Sequence, residues 1–237
     1  LLYQAITNRF EVCYINNFMA RRYDTLAAAA WLSKYCVGVK PHDSFDSTHG
    51  QTEGPSSPSE CGDFWYRWFP RDPAYTPSGG VPHESLVELR ANVAAMVRIF
   101  RMPCVFKNML CALRLAPLLD IFPDALFVHC KRDPLLTGQS LLQTRHKRHG
   151  DKQAWWSMKP KEYDQIRDHH YCDQVIEQIY YIDRQIEHDL APVADRQLYV
   201  IDYAAFCDKP NQVLDALRDW AGERGAPMKE RGRIPET

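Results

Sequence analysis

Arg132 and Ser140 lie eight positions apart in the run Phe127-Val-His-Cys-Lys-Arg-Asp-Pro-Leu-Leu-Thr-Gly-Gln-Ser140, and their chemistry suits one small anion. A guanidinium offers a fork of donors matched to phosphate oxygens, and a serine hydroxyl adds a short neutral donor. A structural pair between Arg132 and Asp133 at a turn is the competing reading of the same residues. Lys107 closes another apolar run with a second cation. Two titratable groups in an irregular stretch, His49 and Glu60, can act as general bases if a pocket receives them, although solvation is the ordinary state of such loop residues. Glu60 is preferred of the two, because it sits in the turn Pro58-Ser-Glu-Cys-Gly before an aromatic cluster. His146, His149 and the His169-His170 pair have no Cys, Asp or Glu at a recognised metal spacing, so no bound metal is expected.

These groups need elements to present them. Ala125 to Lys131 is a short apolar run between Pro123-Asp124 and Arg-Asp-Pro, which predicts a buried strand delivering Arg132 at its carboxyl end. Asp133 and Pro134 suit the entry to a helix over 135–145, since aspartate favours the positive end and proline tolerates the first turn. Pro103 to Lys107, Val12 to Ile15 and Gln197 to Tyr203 read as further strands. Helices are predicted over Leu1 to Thr7, from an Asn16 or Asn17 cap through Tyr35, over Glu84 to Phe100 with Leu86, Leu89, Val93, Val97 and Phe100 facing the core, over Leu113 to Phe122 with Pro117 limiting it, over Ile166 to Leu190, and after Pro210. Strands alternating with helices imply a mostly parallel, doubly wound α/β sheet. Ligands of such sheets sit beyond the carboxyl ends of the strands, where Lys107 and Arg132 both fall.

Residues 40–80 shift to Pro, Ser, Gly, Asp and His around Phe64-Trp-Tyr-Arg-Trp-Phe69, a long loop or lid in which the aromatic rings are expected to pack against the core rather than stack on a ligand. Arg145-His-Lys-Arg-His149 is expected to be a solvated helix end. The 237 residues, 45% hydrophobic, suffice for a single domain with one sizeable core. A formal net charge of -1 excludes a general affinity for nucleic acid or anionic membrane. Eight cysteines without a Cys-x-x-Cys pair, and no Asn-x-Ser/Thr acceptor, point to buried thiols in a reducing compartment. The most apolar stretch, residues 26–39, is too short to span a bilayer.

Val105-Phe-Lys-Asn, Ile121-Phe-Pro-Asp-Ala-Leu-Phe-Val-His, Arg132-Asp-Pro with Ser140, and Tyr199-Val-Ile-Asp-Tyr-Ala-Ala-Phe together resemble the sulfotransferase family. The resemblance implies a three-layer α/β/α fold of the P-loop nucleotide-kinase-like type. It also implies the co-substrate 3′-phosphoadenosine 5′-phosphosulfate (PAPS), with adenosine 3′,5′-bisphosphate as product and no metal. In that family the arginine and the serine eight positions later hold the 3′-phosphate, a role carried to Arg132 and Ser140, and the later tyrosine, matching Tyr203, lies near the adenine. Lys107 matches a lysine near the transferred group, while the base varies between branches; Met109 stands where one branch has histidine. The sequence departs from the family in having Ala204 and Ala205 after Tyr203 where acids are common. The family's 5′-phosphosulfate loop would lie just before Leu1, so the chain is expected to be truncated at both ends. The acceptor is expected to bear a hydroxyl, on a carbohydrate or another small molecule, and the oligomeric state stays open. The compartment expected is the cytoplasm, or the Golgi lumen if an anchor precedes the chain. A nucleotide kinase-like phosphotransferase and a non-catalytic binding module on the same fold are the alternatives.

Overall fold

Two runs rich in apolar residues pair in parallel in the computed structural model, which describes residues 1–37, 45, 47–48, 51–232 and 234. Phe127–Lys131 lies beside Leu198–Asp202 in a register that begins at Phe127 with Leu198 and ends at Lys131 with Asp202. The chain divides into two compact units. One comprises Leu1–Phe69, Val81–Asn108 and Ala205–Thr237, and the other Pro70–Gly80 with Met109–Ala204. Among the described residues the strands pair two by two, one pair parallel and two antiparallel, rather than in one continuous sheet. His49, one of the candidate bases, lies outside the described residues.

In the unit that carries the parallel pair, the chain leaves Lys131 and enters the helix Pro134–His149. Asp133 Oδ1 accepts the Leu136 amide at 2.9 Å and Pro134 takes the first helical position, so an otherwise orphaned donor is satisfied where no proline donor is needed. The helix Tyr171–Leu190 packs against it. A Cβ built on Gly138 would stand 3.0 Å from Val175 Cγ1, so only glycine admits this close approach without displacing its neighbour. Ile182, Ile186 and Leu190 of the long helix join Ala74, Leu113 and Leu115 in a buried cluster.

Three predictions for this unit change. The helix expected from Ile166 onward is broken into Tyr163–Ile166 and Tyr171–Leu190, because His170 adopts extended backbone and Gln174 Nε2 caps the Arg167 carbonyl at 2.6 Å. Pro117 does not limit its helix. It stands in the first turn of Leu115–Ile121, where no intrahelical donor is required. Arg145 is not a solvated basic residue but fully buried. Its guanidinium donates to Gln174 and Gln178 side chains and to the Lys152 carbonyl, and lies 5.2 Å from the Trp155 ring centroid. Burial without a carboxylate partner draws its pKa below the ordinary arginine value.

In the other unit the helix Leu2–Arg9 runs into Phe10–Glu11, which pairs antiparallel with Lys229–Glu230. Buried Arg9 ties these ends together through Asp215 and Glu230. Val12 to Ile15 is buried, and its Cys13 amide donates to the Pro103 carbonyl while the Val105 amide donates to the Cys13 carbonyl, both at 2.8 Å. That is a short parallel ladder, limited because Pro103 has no amide hydrogen to give. Cys13 and Cys104 meet across it in a disulfide, so the expectation of thiols throughout fails at these two positions. Asn16 supplies the expected cap, accepting the Met19 amide at 2.9 Å, but the helix it starts is only Asn17–Ala20, and the expected run to Tyr35 is broken into Leu26–Leu32 and the π-helical turn Ser33–Val37.

The helix His83–Phe100 buries Leu86, Leu89, Met96 and Phe100, and Val97, expected inside, is instead exposed. Pro210 starts the helix Pro210–Glu223 as predicted. The aromatic cluster packs inward: Phe64, Trp65, Trp68 and Phe69 are buried, with the Phe64 ring edge-on to Trp68 at 4.8 Å.

Candidate functional site

The ladder that ends at Lys131 and Asp202 releases Arg132 and Tyr203 from adjacent strand ends, one residue later in each strand. The consequence is a direct contact, with the Arg132 guanidinium carbon 5.4 Å from the Tyr203 ring centroid. Arg132 is exposed, whereas Tyr203 is half-buried at the start of the helix Tyr203–Asp208. The competing reading of an Arg132–Asp133 pair fails. Asp133 spends its carboxylate on the helix cap, and among the described residues no carboxylate is paired with Arg132.

Ser140 lies further along that helix and is exposed, with its carbonyl accepting the Thr144 hydroxyl at 2.8 Å. Among the described residues Ser140 makes no hydrogen bond to Arg132, so the structure brings Arg132 together with Tyr203 and leaves Ser140 on the helix surface. The arrangement offers an unspent guanidinium fork at a strand end, beside a helix that presents a hydroxyl.

Lys107 and Glu60 come together in the other compact unit. Their side chains form an ion pair, yet Lys107 keeps 40% and Glu60 25% of its side-chain exposure, so a ligand can still reach both. The sequence builds this pair from the short ladder. Lys107 follows Cys104 by three residues, and the Ser59 amide, just before Glu60, donates to the Ile15 carbonyl at 2.8 Å. Asn108 Nδ2 fixes the Glu60 carbonyl at 3.2 Å. Cys61 turns the chain with a left-handed φ of 43°, and burial pushes its thiol up to about 11. Burial, then the nearby Tyr14, Glu60 and Cys61, holds the Tyr3 phenol well above its ordinary value, so it stays a neutral donor at physiological pH. Its hydroxyl reaches the Val105 carbonyl at 3.4 Å.

A model described as the sulfotransferase family matches residues 9–226. The chain belongs to the sulfotransferase family. No curated protein and no solved structure gives a significant match. Sulfuryl transfer is thus the general chemistry of this sulfotransferase, and the P-loop α/β class follows from the family. The matched span contains Glu60, Lys107, Arg132, Ser140 and Tyr203. Among the described residues no cluster of three or more His, Cys, Asp or Glu is placed to hold a metal ion, and no helix is long and apolar enough to cross a membrane.

Sequence reasoning missed two supports of the Glu60–Lys107 pair. Asn108 was read only as part of a motif, and its clasp on Glu60 depends on a loop whose path no local pattern encodes. The Cys13–Cys104 disulfide had a faint signal, since each cysteine is the second residue of a short predicted strand, Val12-Cys and Pro103-Cys. Pairing those strands was the information lacking.

Proposed function

We propose that this sulfotransferase takes the sulfuryl group from PAPS and gives it to an acceptor hydroxyl, on a carbohydrate or another small molecule. The observation that carries the reading is Arg132, an exposed guanidinium at a strand end with no carboxylate partner among the described residues and with the Tyr203 ring beside it. That group fits a phosphate, because a guanidinium fork matches phosphate oxygens in both geometry and charge. Arg132 is assigned the 3′-phosphate, with Ser140 adding its hydroxyl and Tyr203 lying beside Arg132.

Glu60 and Lys107 are assigned the transfer itself. The Glu60 carboxylate takes the proton of the acceptor hydroxyl as its oxygen bonds to sulfur. The bond from sulfur to the 5′-phosphate oxygen breaks, and adenosine 3′,5′-bisphosphate leaves. Lys107 offsets the negative charge that grows on the leaving oxygens. Positioning and charge stabilisation supply most of the acceleration, as in phosphoryl transfer. The Cys13–Cys104 disulfide supports an oxidising compartment such as the Golgi lumen over the cytoplasm.

Thermal denaturation with nucleotides tests the reading. Adenosine 3′,5′-bisphosphate should raise the melting temperature without any metal, and by more than ATP with Mg²⁺ does. A preference for ATP with Mg²⁺ would contradict the proposal and favour a kinase-like phosphotransferase.

A further inference from the structure

Tyr203 makes a contact that the family resemblance does not itself imply. The resemblance sets this tyrosine near the adenine, and in the structure its ring also lies against the guanidinium of Arg132, with 5.4 Å from the guanidinium carbon to the ring centroid. The contact is written into the sheet. Lys131 and Asp202 form the last pair of the parallel ladder, so the next residue on each strand leaves the sheet beside the other. Leu198–Asp202 then passes straight into the helix Tyr203–Asp208, which fixes the backbone of Tyr203, and the ring is half-buried.

An exposed arginine samples many rotamers in water, and that freedom is lost when it binds a ligand with both arms of its fork. A cation within 6 Å of an aromatic centroid is attracted to the ring face and spends more time there. We infer that Tyr203 is a positioning residue: its ring preorients the Arg132 guanidinium and thereby sets the preference of the site for nucleotides that carry a 3′-phosphate. The inference rests on the reading of Arg132 given above. The ring, not the phenol hydroxyl, performs this function. Nucleotides without a 3′-phosphate gain nothing from it.

The experiment is calorimetric titration of the full 237-residue chain with adenosine 3′,5′-bisphosphate and with adenosine 5′-phosphate. The variants are Tyr203→Phe, Tyr203→Trp and Tyr203→Leu. Phenylalanine and tryptophan keep a ring face and should retain the wild-type ratio of the two affinities. Leucine keeps bulk without a ring and should weaken the bisphosphate about two- to fivefold, leaving the monophosphate affinity unchanged. Equal losses for both nucleotides in Tyr203→Leu would overturn the inference and return Tyr203 to an adenine contact. A ratio lost in Tyr203→Phe would overturn it too, by assigning the selectivity to the hydroxyl. If the wild-type chain itself binds both nucleotides equally, the underlying 3′-phosphate reading falls, and this inference with it. The tryptophan variant keeps the test decisive should the leucine variant fail to fold, since a ratio lost with a ring still present contradicts positioning by the ring.

Discussion

An arginine and an aspartate side by side in Arg132-Asp133-Pro134 have opposite fates, and the difference decides what the turn can do. Asp133 gives its carboxylate to the Leu136 amide, which leaves the guanidinium of Arg132 to the Tyr203 ring and to solvent. Glu60 and Lys107 are the reverse case, two charges that neutralise one another while remaining partly exposed. If Glu60 takes the acceptor proton, Glu60→Gln should cut turnover by roughly a hundredfold to ten-thousandfold while leaving adenosine 3′,5′-bisphosphate affinity nearly unchanged. Steady-state rates with PAPS and a calorimetric titration separate the two effects. Turnover within a factor of two of wild type would remove Glu60 from the mechanism. The residue types were legible in the sequence, since a guanidinium and a hydroxyl eight positions apart already suggest an anion. Their partners were not, because Arg132 and Tyr203 are 71 positions apart and meet only through strand register.

At the scale of elements, the strand, cap and helix around Arg132 were readable because each signal is local: an apolar run, then Asp-Pro, then a helical stretch expected to 145 that in the structure runs to His149. The fate of Arg145 was not readable, because its burial depends on Gln174 and Gln178 from another helix. Gly138 carries a similar message about tertiary contact. Gly138→Val should destabilise the protein by about 1 to 3 kcal/mol in urea denaturation, since the added side chain overpacks against Val175. A variant as stable as wild type would mean that the two helices do not pack this closely. The short ladder through Cys13 and Cys104 makes a different prediction. Thiol titration of the denatured, unreduced chain should find six of the eight cysteines. Reducing the bond, which closes a sequence separation of 91, should lower stability by about 2 to 5 kcal/mol. Eight titratable thiols would refute the disulfide. In the native chain Cys61 should be among the slowest thiols to alkylate, because its buried thiol is pushed up to about 11.

For the whole molecule, the order of landmarks along the chain carried more information than any single motif. Lys107, Arg132, Ser140 and Tyr203 fall in the sequence expected of a sulfotransferase, and the family match extends over residues 9–226. How the strands pair was less legible: their alternation with helices implies a mostly parallel sheet, whereas the described strands pair two by two, because a strand pattern shows that a segment can pair without showing with what or how far. Acceptor identity depends on a surface assembled from loops, which local periodicity does not encode. The central claim is that the chain reads the 3′-phosphate of its nucleotide through Arg132, and the affinity ratio of two nucleotides tests it most directly. Calorimetry should show wild type binding adenosine 3′,5′-bisphosphate well above adenosine 5′-phosphate, and Arg132→Ala losing most of that difference while keeping its monophosphate affinity. Equal losses for both nucleotides, or a ratio unchanged in Arg132→Ala, would contradict the claim.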